Sequence, residues 1–187
     1  MSKIIAITGP SMVGKTTLTN SLKKLNGFSV PKHITTREKR VDDENGFYRY
    51  VNVSDFNKLK NNNELLLYSG AGNRLYGILK EDLEACLNKY ENAVINISYK
   101  DIFQYNLLEY QKILIALTFH DLQEGIKNRN SITNRKMVYK ELLMRIEVAM
   151  FDHKSYFDMI KQYCDCLIYT DDLTEKEVYE KVMRKIK

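Results

Sequence analysis

The sequence predicts an α/β fold, a parallel sheet flanked by helices, on three observations. Short apolar runs at Lys3–Thr8, Ala93–Ile97, Ile113–Phe119 and Cys166–Tyr169 end at polar or turn residues, as expected of strands buried on both faces. Segments of helical spacing separate these runs, and such alternation argues for parallel pairing. A glycine-rich loop lies at the first strand-to-helix joint.

The first run, Lys3–Thr8, is followed by a helix over Thr16–Leu25, spaced through Leu18, Leu22 and Leu25. From Phe28 to Gly77 the texture changes. Alternating stretches such as FYRYVNV, with turn signals at Asp43-Glu44-Asn45-Gly46 and Gly70-Ala71-Gly72-Asn73, predict a small, partly β excursion. The alternation then resumes with a helix over Lys80–Tyr90, the strand at Ala93–Ile97, a second helix and the strand at Ile113–Phe119. Met137–Tyr163 carries Leu142, Leu143, Ile146, Ala149, Met150, His153, Phe157 and Ile160 at helical spacing. The strand Cys166–Tyr169 and a helix over Thr174–Ile186 close the chain.

A length of 187 residues suits one substantial core with a mobile appendage. Only 8 Gly and 2 Pro, with 44% hydrophobic residues, exclude low-complexity and disordered classes. No apolar stretch reaches the roughly 20 residues that span a bilayer, and the start, MSKIIAITGPS, does not read as a secretory signal. A cytoplasmic protein without a membrane partner is expected. Cys86, Cys164 and Cys166 are expected to be reduced, since no paired His or second Cys cluster completes a metal site. The net charge of +5 suits an anionic partner, but no basic run with interleaved aromatics points to nucleic acid.

Gly9-Pro10-Ser11-Met12-Val13-Gly14-Lys15-Thr16 fits G-x-x-x-x-G-K-[ST] between a strand and a helix, the context that motif requires. The glycines let successive amides converge on phosphate oxygens at the positive end of the helix. Lys15 would neutralise the terminal phosphates and Thr16 would offer its hydroxyl to Mg²⁺. Gly9, Met12, Val13, Gly14, Lys15, Thr16 and Thr17 are the candidate ATP-binding residues. The loop alone does not distinguish hydrolase, switch, kinase or motor.

A second anion-suited set follows: Thr35-Thr36-Arg37, Arg40, Gly46-Phe47-Tyr48 and Leu75-Tyr76-Gly77. Two arginines and two tyrosines could surround one phosphate and offset its repulsion from an already anionic donor. From the charge run alone, Arg37 to Arg40 reads rather as a solvated charged loop.

The ordered set GPSxxGKTT, TTRxxR, NGxxY, YG, Arg129, Arg145 and LIYTDDL resembles the guanylate kinase family over almost the whole chain. The resemblance implies one domain, with a P-loop core at 1–27, 80–125 and 144–187. It implies a small, partly β monophosphate-binding subdomain at 28–79 and a helical lid at 126–143. Arg37, Arg40, Tyr48 and Tyr76 match the family's acceptor-phosphate residues, and Arg129 and Arg145 match arginines that reach the phosphates on closure. Arg135 is an additional lid candidate. With Lys15, Arg129, Arg135 and Arg145 are the candidate catalytic residues.

The implied activity is phosphoryl transfer from ATP with Mg²⁺ to a nucleoside monophosphate, GMP or dGMP by default, by a monomer or homodimer. The guanine-reading positions differ from the family: Leu67 replaces a glutamate, Ile78 a Ser or Thr, Ser98 an aspartate and His33 a serine. A different nucleotide, a ribose phosphate, or a non-catalytic binding role are the alternatives. His33, Leu67, Ile78 and Ser98 are carried as candidate substrate-binding residues.

Overall fold

A computed structural model of the chain describes residues 2–39, 43, 46–71, 73–132 and 138–187. The first strand, β1 (Lys3–Thr8), feeds through the glycine loop into α1 (Lys15–Lys23). There follow β2 (Phe28–Ser29), β3 (His33–Thr35), β4 (Tyr48–Tyr50), α2 (Val53–Asn61), β5 (Leu65–Ala71) and β6 (Arg74–Leu79). Helix α3 (Lys80–Lys89) leads to β7 (Asn92–Asn96), a single 3-10 turn at Tyr99–Asp101, α4 (Ile102–Asn106) and β8 (Gln111–Thr118). The remainder is α5 (Leu122–Ile132), α6 (Tyr139–Tyr163), β9 (Cys166–Tyr169) and α7 (Glu175–Ile186).

Among the described residues the strands form two sheets. The larger is all parallel in the order β2-β7-β1-β8-β9. Alternation sends Ile5, Ile7, Val94, Ile115, Leu117 and Ile168 into one apolar layer with Leu18 and Leu22 of α1 and Val178, Val182 and Ile186 of α7. Ile4, Ala6, Ile95, Leu114 and Ala116 enter the opposite layer with Leu83, Tyr105 and Ile160. Burial on both faces explains why these strands read as unbroken apolar runs. Helix α7 is fixed at its start by a capping box between Thr174 and Glu177, a device worth about 1 kcal/mol.

The smaller sheet has the order β4-β3-β6-β5, with β3 and β4 parallel and the other pairs antiparallel. One face packs Ile34, Leu65 and Leu79 against Phe56 of α2. Register places Leu67, Ile78, His33 and Tyr48 in one row of the other face, and Ser69, Tyr76, Thr35 and Tyr50 in the next.

Two expectations change. Phe28–Ser29 is an edge strand of the core sheet, paired with β7, and Phe28 packs on the core layer; the excursion begins at β3. Helix α2 was not anticipated, because its sequence VSDFNKLKN buries only Phe56. Asn52 holds its first turn by accepting from the Asp55 amide at 2.8 Å.

Candidate active site

The loop leaves β1 at Gly9 and enters α1 at Gly14, with φ of +148° and +100°. A β-carbon on Gly9 would overlap the Leu117 carbonyl oxygen of β8, so the first turn admits glycine alone. Met12 also has a positive φ, 69°, a strained conformation of the kind found where a backbone is shaped for a ligand. The N-cap of α1 is Gly14, without a side chain to hold the first amides; that end of the helix favours an anion.

Three cations from three elements gather around this loop. Lys15 Nζ donates to the carbonyls of Gly9 and Pro10, each at 2.7 Å. Burial, and secondarily the Arg145 guanidinium, push its ammonium down to about 8. Arg145, two turns into α6, donates through Nη1 to Ser11 Oγ at 2.6 Å, while Nε and Nη2 donate to Glu141 Oε1 at 3.2 and 2.8 Å. Arg129 of α5 lines a cleft with Val13, Gly14, Thr17 and Tyr179. Thr16 is exposed at the first turn of α1.

The second anion-suited set is assembled by strand register. At the end of β3, Thr35 Oγ1 donates to the Leu75 carbonyl at 2.9 Å, and Thr36 Oγ1 accepts from the Leu75 amide at 2.9 Å. These clamps fix the backbone from which Arg37 departs. Arg37 Nη1 donates to Asp43 Oδ2 at 2.6 Å and Nη2 to Asp43 Oδ1 at 2.5 Å, with a further bond from Nη1 to the Glu38 carbonyl at 2.9 Å. The guanidinium lies 4.7 Å from the Tyr48 ring centroid and 5.7 Å from that of Tyr50. Tyr76 stands in the neighbouring row of the same face. Burial and the Asp43 carboxylate push the Tyr50 phenol up to about 12, so it remains a donor at neutral pH.

His33 does not present a free nitrogen to this face. Its Nδ1 lies 3.2 Å from the Pro31 carbonyl, and its Nε2 lies 3.1 Å from the Asn96 carbonyl and 3.3 Å from the Asn96 amide. Burial holds the ring down to about 4, so the imidazole is neutral at neutral pH and one nitrogen donates to a backbone carbonyl. It also stacks on Phe47 at 4.7 Å. Leu67 and Ile78, each 2% exposed, belong to the core layer with Ile97 and Tyr99, in one row of the sheet with His33 and Tyr48. Ser98 caps the 3-10 turn in a capping box with Asp101. Arg40 and Arg135 lie outside the described residues.

Asp43 and Tyr50 were missed by sequence reasoning, because Asp43-Glu44-Asn45-Gly46 reads as a turn and only the fold brings Asp43 to Arg37 and Tyr50. Asn96 was also missed as a joint. Its Oδ1 accepts from Thr19 Oγ1 of α1 at 2.7 Å, and its backbone meets His33 of β3. Among the described residues no group of three His, Cys, Asp or Glu is placed to hold a metal ion, the three cysteines are free, and no helix is long and apolar enough to cross a membrane.

The chain is similar to known proteins over most of its length. The model of the family described as guanylate kinase matches residues 1–183. A guanylate kinase of Mycoplasmoides gallisepticum is 35% identical over 104 residues, 54% of this chain and 53% of the relative, so that match spans about half of the relative's length. One of Malacoplasma penetrans is 28% identical over 193 residues, 98% of this chain and 95% of the relative. The crystal structure of guanylate kinase from Anaplasma phagocytophilum shares the fold at a TM-score of 0.72 with 18% identity, covering 99% of this chain and 84% of that one.

Proposed function

The chain belongs to the guanylate kinase family, and from that premise we propose that it transfers the γ-phosphoryl group of ATP to the phosphate of a nucleoside monophosphate, with GMP or dGMP as the default acceptor. The observation that carries this reading is the convergence of Lys15, Arg129 and Arg145 on one glycine-shaped loop, together with a second face bearing Arg37, Tyr48 and Tyr76. Placing two phosphates side by side requires fixed positive charge between them, and this chemistry needs no covalent intermediate on the protein.

In this reading the loop amides and Lys15 hold the donor phosphates. Lys15 gives up its two carbonyl contacts for phosphate oxygens, which returns its ammonium to the fully charged form. Arg145 is pinned by Glu141 close to Ser11 and needs only a small movement to reach the transferring group. Arg129 closes from α5. Tyr48 and Tyr76 donate to the acceptor phosphate while Arg37 neutralises it.

The donor set fits Mg²⁺ sparingly. Thr16 offers one hydroxyl, but Asn96 and Ser98 stand at the strand end without a carboxylate and are engaged by Thr19 and by the 3-10 turn. Thr16 and the phosphate oxygens would hold the ion, with waters completing its shell, and its charge would offset that of the donor phosphates.

A second acceptor chemistry, another base or a ribose phosphate, is favoured by one specific observation: Leu67 and Ile78 are spent on the core and Ser98 on a cap. Unpaired guanine donors against those side chains would cost about 1–3 kcal/mol each. ATP consumption measured across GMP, dGMP, AMP, CMP, UMP and ribose phosphates decides the acceptor. Turnover with at least one of them is expected, and ATP binding without turnover on any of them would instead support the non-catalytic role.

A further inference from the structure

Among the described residues, Arg37 is an enclosed cation of the acceptor face, and its guanidinium is already held. Its side chain and that of Asp43 are 4% and 9% exposed. Both terminal nitrogens, Nη1 and Nη2, point at the two Asp43 oxygens, and the Tyr50 hydroxyl donates to Asp43 Oδ2 at 2.7 Å. A carboxylate gripped end-on in this way does not engage the side-on edge, Nε–H with the second Nη2–H; besides Asp43, the guanidinium also hydrogen-bonds the Tyr48 phenol.

We propose that Asp43 is a positioning residue for the acceptor: it locks Arg37 end-on, with Tyr50 holding Asp43 in turn, so that the side-on fork meets the acceptor phosphate already oriented. This rests on the reading of Arg37 as an acceptor-phosphate residue. The chemistry is that of a buffered cation. A carboxylate about 4 Å from the guanidinium carbon and a phosphate about 4 Å away on the adjacent edge stand about 7 Å apart, so each attraction exceeds the mutual repulsion by roughly 1.7-fold per unit charge. An arginine side chain is otherwise free to sample many rotamers, and fixing it beforehand spares the phosphate that ordering cost. Stacking near Tyr48 at 4.7 Å fixes the plane of the fork as well.

The opposite role is physically distinct. If Asp43 occupied the very place of the acceptor phosphate, substrate would have to displace it, and removing its charge would tighten binding. Steady-state kinetics of the full chain with GMP, or the best acceptor of the panel, varied against fixed ATP and the reverse, separate the two. Asp43→Asn is expected to raise the acceptor KM by about 10- to 100-fold with the ATP KM within about twofold. Asp43→Glu, which keeps a carboxylate, is expected to recover most of that loss. An acceptor KM that stays constant or falls in Asp43→Asn overturns the proposal, as does an equal rise in both KM values.

Should Asp43→Asn fail to fold, Tyr50→Phe decides. It removes one hydroxyl and no charge, so an acceptor KM raised about threefold supports the proposal and an unchanged one overturns it. Wild-type turnover is measured first. Absence of turnover on every acceptor overturns the kinase reading itself, whereas turnover with variants that leave the acceptor KM unchanged overturns only the role of Asp43.

Discussion

Around Lys15 the site is built on backbone, whereas around Arg37 it is built on other side chains. Lys15 rests on the carbonyls of Gly9 and Pro10, in a loop wedged against Leu117 of the core sheet. Arg37 rests on Asp43, Tyr48 and Tyr50, drawn from a loop and from a three-residue strand. The two regions meet at Asn96, which touches Thr19 of α1 and His33 of β3. A backbone cradle gives fixed, base-independent geometry for a donor that is always a triphosphate. A side-chain cradle can be retuned one residue at a time.

The largest effect expected is on the backbone side. Lys15→Ala is expected to lower turnover by about 1,000-fold or more, with the circular-dichroism spectrum and melting temperature preserved, because the ammonium supports two carbonyls and no packing. A melting temperature that collapses with activity would break the contrast, since Lys15 would then be structural. Next, Gly9→Ala should destabilise the chain by about 2–4 kcal/mol in urea unfolding, because the added carbon overlaps Leu117 and φ is unfavourable. An unaltered midpoint would mean that the cradle is softer than its geometry.

The joint between the regions yields a pH dependence. His33 is held down to about 4 when folded, against 6.5 when free. Between those values the unfolded chain binds the proton and the folded chain does not, so stability falls as pH drops from about 6.5 to about 4 and levels off below. The loss from this group is about 3 kcal/mol at most. Urea midpoints across that range check it, and His33→Gln should flatten the slope; an unflattened slope would place the titration elsewhere.

Lys15 gives the complementary profile. With its ammonium near 8 in the free protein, kcat/KM for ATP should hold steady below about pH 7 and fall as pH rises through 8, while kcat, which reports the phosphate-bound lysine, stays flat. Coincident profiles would contradict the lowering of the free-state ammonium by burial and, secondarily, by Arg145. The smallest effect is expected at the α7 cap: Thr174→Ala should cost about 1 kcal/mol and leave both KM values within about twofold.

What could be read in the sequence follows the same division. The core strands and the glycine loop are legible because their requirements fall on consecutive residues: apolar side chains for a doubly buried strand, glycine where a β-carbon would strike Leu117. The smaller sheet is legible only as texture. Its working face joins residues from β3, β4, β5 and β6 through register, so His33 looked like a ligand contact when its nitrogens meet Pro31 and Asn96. Asp43 looked like one acid among three. Leu67 and Ile78 read in the sequence as departures from the family at positions expected to meet a base, but their place in the core layer was not legible. Helix α2 carried too little apolar signal to be seen.

Transfer of label is the most direct test of phosphoryl transfer between the two regions. Protein incubated with ATP labelled at the γ-phosphate, Mg²⁺ and a nucleoside monophosphate should yield labelled nucleoside diphosphate in equal amount to the ADP formed, and Lys15→Ala should yield almost none. Label released as inorganic phosphate, or nucleoside diphosphate formed equally well without the Lys15 ammonium, would contradict it.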